Sequence, residues 1–66
     1  MERDRKIEKE FIKELANVEQ NEKFIISSLH LMDNDLKRKQ LIDYIKSKPN
    51  ITRKEVETKM FYITIG

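Results

Sequence analysis

The chain contains no cysteine and no tryptophan, and only one glycine (Gly66) and one proline (Pro49) among its 66 residues. Without cysteine there is neither a disulfide framework nor a cysteine–zinc site. A single glycine, at the end, leaves no glycine-rich phosphate loop. With both helix breakers this scarce, helices can run almost uninterrupted. Long apolar runs are missing too: none approaches the roughly 18 residues needed to span a bilayer. The start, MERDRKIEKE, lacks the apolar stretch of a signal peptide. The plain expectation is a cytoplasmic protein with no membrane association, which the lack of cysteine fits.

What is present argues for a folded chain. Hydrophobic residues make up 38% and charged residues 39%, with both signs mixed and nine isoleucines available for a core. Disorder would need lower hydrophobicity and a larger net charge. At 66 residues one domain is allowed, spanning 1–66. A chain of this size buries only about 60% of its unfolded surface and is marginal alone. With no disulfide to help, a homo-oligomer, a dimer first of all, is expected. The net charge of +2 divides unevenly: residues 1–35 carry six basic and nine acidic side chains, residues 36–66 eight and three. Such a two-ended molecule can steer an anionic partner to one end or dock two copies head to tail.

The apolar spacing predicts an all-α fold, a compact bundle of three to four short helices. In a first helix, about 3–19, Ile7, Phe11, Leu15 and Val18 share one stripe, with Lys6, Lys9 and Lys13 opposite. A second helix, about 22–32, has a wide apolar arc of Phe24, Ile25, Ile26, Leu29, Leu31 and Met32, as expected of a central helix. Between the two stand only the weak breakers Asn17 and Asn21. Phe11, Leu15, Val18, Ile25, Leu29, Met32 and Leu36 also follow a heptad seam interrupted at Glu22. One long, dimerising N-terminal helix and two helices folded on each other both fit, with two slightly favoured.

Asp33-Asn34-Asp35 is a helix break whose side chains suit caps and turns. A third helix, about 36–47, places Leu41, Ile42 and Ile45 inward, with Tyr44 off that stripe. Pro49-Asn50 ends it. Thr52 and Glu55 then have the spacing of a capping box, and Ile51 and Val56 that of its hydrophobic staple. Together they place a fourth helix at about 53–60. The β-branched and aromatic tail, 61–66, reads as a short extended segment that something must cover.

Candidate chemistry is sparse. His30 is the only histidine, and it reads as a residue on the polar side of the second helix, beside Lys23 and Ser27, rather than as a ligand with Asp33. Asp33-Asn34-Asp35 lacks the glycine and closing glutamate of a calcium loop. Ser27, Ser28 and the threonines have no base at catalytic spacing. No cofactor, no metal and no enzymatic activity are expected. One cluster points to binding: Lys37, Arg38, Lys39, Lys46, Lys48, Arg53 and Lys54 are either a phosphate-contacting surface or a solvated lysine-rich one.

Residues 38–60, RKQLIDYIKSKPNITRKEVETKM, resemble the first two helices of winged-helix and helix-turn-helix DNA-binding regulators. Leu41, Ile42 and Ile45 match the first of those helices; Ile51, Thr52, Glu55 and Val56 match the turn and the capped second helix. The resemblance covers about a third of the chain and implies a DNA-associated transcriptional regulator. The family's recognition helix has no counterpart, because the chain ends six residues after Met60. What remains is contact with phosphates rather than with bases.

Two functions are therefore expected. The first is a small, self-associating regulatory module that binds another macromolecule, a protein foremost. Its interface would be Phe11, Leu15, Val18, Ile25, Leu29 and Met32 together with Phe61, Tyr62 and Ile63. The alternative is the DNA-associated regulator, acting through the basic half.

Overall fold

A computed structural model describes residues 5–66. Four helices follow in order: α1 Arg5–Val18, α2 Glu22–Leu31, α3 Asp35–Ser47 and α4 Arg53–Ile65, with no strand among the described residues. Positions 3 and 4, expected to open the first helix, lie outside the described residues. The principal contacts form a ring, α1 on α3, α3 on α4, α4 on α2 and α2 on α1, of which α1 on α3 is the most extensive.

The starts of α2, α3 and α4 each have an identifiable local cause. Asn21 precedes α2 in an extended conformation, and its side chain accepts the Phe24 N–H at 3.2 Å. Asn34 does the same for α3, accepting the Lys37 N–H at 2.9 Å. At α4 the capping box is complete: Thr52 Oγ1 accepts the Glu55 N–H at 3.3 Å, and Glu55 Oε1 accepts the Thr52 N–H at 3.1 Å. These side chains satisfy amides that the first helical turn leaves without partners. Residues 5–38 are thus not one long helix: α1 and α2 separate at residues 19–21, and a second break at 32–34 precedes the first turn of α3.

The core consists of Phe11, Leu15, Phe24, Met32, Leu41, Ile42, Ile45, Val56 and Met60, with Ile7, Val18, Ile25, Leu29, Tyr44, Ile51 and Ile63 packed around it. The radius of gyration is 10.7 Å, against about 11 Å for a compact domain of this length. Three expectations are corrected here. The wide arc of α2 does not make it the central helix. Only Phe24 and Ser28 are buried within it, while Ile26 and Leu31 face outward. The centre belongs to α3, which buries Arg38, Leu41, Ile42 and Ile45.

The extended tail at 61–66 is likewise replaced by helix, since α4 continues to Ile65 and Gly66 N–H caps the Tyr62 carbonyl. Helical continuation pairs the backbone locally, whereas a lone strand would leave it unpaired. The propensity penalty of β-branched residues is only a few tenths of a kcal/mol each. Finally, Phe11, Leu15 and Met32 are fully buried inside one chain. The heptad seam folds back on itself, so these three residues are not available as a surface between chains.

Candidate functional site

The expected basic surface is largely neutralised within the fold. Lys37 pairs with Asp33 at 3.2 Å, Lys48 with Glu55 at 3.1 Å, and Lys46 with Glu10. Arg53 sits between two carboxylates, Glu19 at 2.6 Å and Glu57 at 3.1 Å, with its guanidinium 5.0 Å from the Phe24 ring centre. The hydrogen bond that Lys46 donates to Glu10 raises its pKa above the ordinary value, and those that Arg53 donates to Glu19 and then Glu57 do the same for Arg53. Of the seven cations, Lys39 and Lys54 remain exposed without an ion pair to a described residue.

Arg38 departs furthest from expectation, because it is only 2% exposed. Its Nε donates to the Met32 carbonyl at 2.8 Å and its Nη2 to the Leu29 carbonyl at 3.4 Å. Its Nη1 donates to Glu8 at 3.3 Å, and the guanidinium lies 5.9 Å from the centre of the Phe11 ring. The group therefore clasps the C-terminal end of α2, where carbonyls lack helical partners and the helix dipole favours a cation. It is not a phosphate contact. Its signal was present in the sequence: residues 38, 41, 42 and 45 fall on one helical stripe, but Lys37 and Lys39 on either side made Arg38 read as surface.

The apolar candidates divide differently. Val18, Ile25, Leu29 and Ile63 are half-buried against the core. Phe61 and Tyr62 are exposed, at 61% and 60%, and are joined by Ile65 at 63% and by Leu36 at 67%, which the heptad seam had expected at an inner position. Phe61 and Tyr62 contact each other edge to face, with ring centres 6.1 Å apart.

A groove of about 370 Å³ between α2 and α4 is lined by Leu31, Phe61, Met60, Phe24, Ser28 and Thr64, with Lys23, Arg53 and Glu57 at its other end. Ser28 Oγ donates to the Phe24 carbonyl at 2.7 Å and Thr64 Oγ1 to the Met60 carbonyl at 2.8 Å. Both hydroxyls are thus satisfied by their own helices, and the lining near Phe61 offers carbon. A second groove, on the α3 side of α4, brings Leu36 beside Tyr62 and Ile63. Among the described residues, five of the six exposed large hydrophobic side chains (Leu31, Leu36, Phe61, Tyr62 and Ile65) therefore gather around the C-terminal end of α4. They form an apolar pole.

His30 is exposed near the end of α2. No group of three or more histidine, aspartate or glutamate side chains that could hold a metal ion occurs among the described residues. Among the same residues, no helix is long and apolar enough to cross a membrane. No family model matches the chain, and neither a curated protein nor a solved structure matches it significantly.

Proposed function

We propose that this chain is a small, non-enzymatic regulatory interaction module that binds another macromolecule, a protein, through the apolar pole around the end of α4. The observation that carries this reading is the exposure of Phe61, Tyr62 and Ile65 beside Leu31 and Leu36. The largest apolar patch of a small monomer is often its functional surface, and aromatic side chains dominate such contacts. The DNA-associated reading has less to draw on, because counterion release needs unpaired cations and most of the basic cluster is engaged by carboxylates.

The test uses the intact chain to capture partners from nuclease-treated native extract at about 0.5 M salt, where phosphate contacts are strongly weakened. A protein that rebinds the purified chain, and no longer binds the Phe61→Glu variant, supports the reading. Binding confined to duplex DNA at about 50 mM salt and lost steeply as salt rises would replace it with the DNA-associated one.

A further inference from the structure

We infer that the groove between α2 and α4 takes one face of an amphipathic helix from another protein, with large apolar side chains at the Leu31–Phe61 end and carboxylates over Lys23 and Lys54. The inference rests on the proposed use of the apolar pole as a contact surface and adds the class of partner, an acid-flanked helix.

The apolar end of the groove supplies area and the charged end selects the partner. Lys23, on the α2 wall, is exposed and has no ion pair to a described residue. Lys54 is equally exposed and unpaired. It stands about two turns before Phe61 on one stripe of α4, which puts it at the rim of the groove. Among the described residues, Glu57 is the one carboxylate in the lining. It is held by Arg53 at 3.1 Å, and Arg53 also pairs with Glu19 at 2.6 Å. Two cations are therefore left for a ligand to answer.

Their positions sharpen the point. Lys23 and Lys54 each occupy the second residue of a helix, where the macrodipole favours an anion and opposes a cation. Helix stability does not account for them. The first turns of α2 and α4 meet at this end, with the Arg53 guanidinium 5.0 Å from the centre of the Phe24 ring. An arriving carboxylate thus meets two ammonium groups and the positive ends of two helix dipoles.

Shape narrows the choice further. From Lys23 to Leu31 the groove wall runs about 12 Å along α2, and the space between the walls is about 370 Å³. Apolar side chains recurring every three or four residues on a partner helix fit such a trough. A second copy of this chain is a poor match. Its acids next to exposed apolar residues, Asp33 near Leu31 and Glu57 near Phe61, are paired with Lys37 and Arg53. Glu22 has a single exposed apolar neighbour on its stripe, Ile26.

The probe is a display library of helix-forming peptides of about 16 residues, long enough to hold a helix, panned on the intact chain in about 0.1 M salt. Enriched sequences should combine large apolar residues at helical spacing with Asp or Glu clustered at one end. Phe61→Glu should weaken the best synthetic peptide at least about 30-fold, as loss of an aromatic anchor does. The double variant Lys23→Glu with Lys54→Glu should weaken it about 10-fold and, panned afresh, should enrich Lys- and Arg-flanked peptides instead. Glutamate suits the first turn of a helix, so helix content and thermal midpoint should be kept in that variant.

No enrichment over a control panning on Phe61→Glu overturns the inference. So do enriched peptides without flanking acids, or a preference that charge reversal does not invert. A protein captured from extract that no longer binds Phe61→Glu, yet binds the charge-reversed chain unchanged, overturns the acid-flanked partner and leaves the interaction reading standing. Anionic lipid vesicles that bind through Lys23, Lys54 and Phe61, with no peptide enriched, overturn both.

Discussion

Removing the Arg38 guanidinium should destabilise the fold more than any change at the charged surface. In Arg38→Ala the Met32 and Leu29 carbonyls lose their side-chain donors, and the arginine stem leaves a void beside Phe11. An orphaned buried acceptor costs about 1–3 kcal/mol, and truncation of a long buried side chain about 2–5 kcal/mol. These overlap and the Leu29 bond is long, so about 3 kcal/mol in total is expected. Total stability for this length is only about 3–10 kcal/mol, so the variant sits close to unfolding. Glu8, the ion-pair partner, is 42% exposed and can turn to water. Glu8→Gln should therefore cost less than 1 kcal/mol.

Arg38→Met keeps most of the stem and removes the donors, and should fall between the two. Urea unfolding followed by far-ultraviolet circular dichroism, with the linear slope compared among variants, measures all three. In thermal melts Arg38→Ala should lower the midpoint by roughly 12–24 °C. Equal losses for Arg38→Ala and Glu8→Gln would refute the clasp and reduce Arg38 to a surface ion pair. So would a loss below about 1 kcal/mol for Arg38→Ala, since an unfilled clasp cannot be that cheap.

Thr52→Ala should cost about 1 kcal/mol through loss of the α4 cap, seen as a midpoint shift of about 4–8 °C. Glu55 is held below its ordinary value of 4.5, first by the Thr52 backbone N–H and then by Lys48. Its contribution is therefore complete above that value and is lost as pH falls through the lower folded value. Glu55→Gln, which preserves a capping-box residue, should flatten that part of a melting-temperature profile against pH. Lys46, raised by Glu10, behaves oppositely: its contribution is present below 10.5 and is lost as pH climbs through the raised folded value. Leu15→Ala should cost about 2–5 kcal/mol and by the same amount at all protein concentrations, because the side chain is buried within one chain; a concentration-dependent loss would restore the inter-chain seam.

The parts of the fold readable in the sequence are those where local chemistry and burial agree. Thr52 with Glu55 placed the start of α4 because a capping box is a local geometry, indifferent to what packs around it. The Leu41, Ile42 and Ile45 stripe placed the inner face of α3 for the same reason. The errors occur where tertiary partners decide. Residues 61–65 have strand-like side chains, but no strand exists among the described residues to pair with, and the helix that starts at Arg53 simply extends. The broad arc of α2 could not reveal which part its neighbours cover; packing against α1 and α4 takes Phe24 and Ser28 and leaves Ile26 and Leu31 out. Phe61 and Tyr62 were recognisable as surface candidates from the apolar tail, whereas Leu36 and Ile65 joined them only once α3 and α4 were placed together. The pairing within the basic cluster was not legible because periodicity turns Arg38 alone inward, and because Glu10, Glu19 and Glu55 reach Lys46, Arg53 and Lys48 from other turns of the fold.

The closed core and the apolar pole are separate parts of this molecule. Its small size suggested that a second chain would complete the core through Phe11, Leu15 and Met32. Those side chains are enclosed by α1–α4 alone, and the chain reaches the compactness of a domain of its length without help. Phe61, Tyr62 and Ile65 lie on the last turns of a helix whose first turn is fixed by its own capping box, with Leu31 and Leu36 on neighbouring helices beside it. A surface built in this way can be occupied or vacated while the core stays closed. Its occupancy is then set by concentration and competition rather than by refolding. Substitutions at Phe61 or Ile65 should accordingly yield folded chains that have lost a contact, whereas substitutions at Leu15 or Arg38 should yield chains that have lost stability. Coincidence of the two classes in one variant series, with every loss of association accompanied by a matching loss of helix, would mean that the pole is part of the core of an obligate assembly.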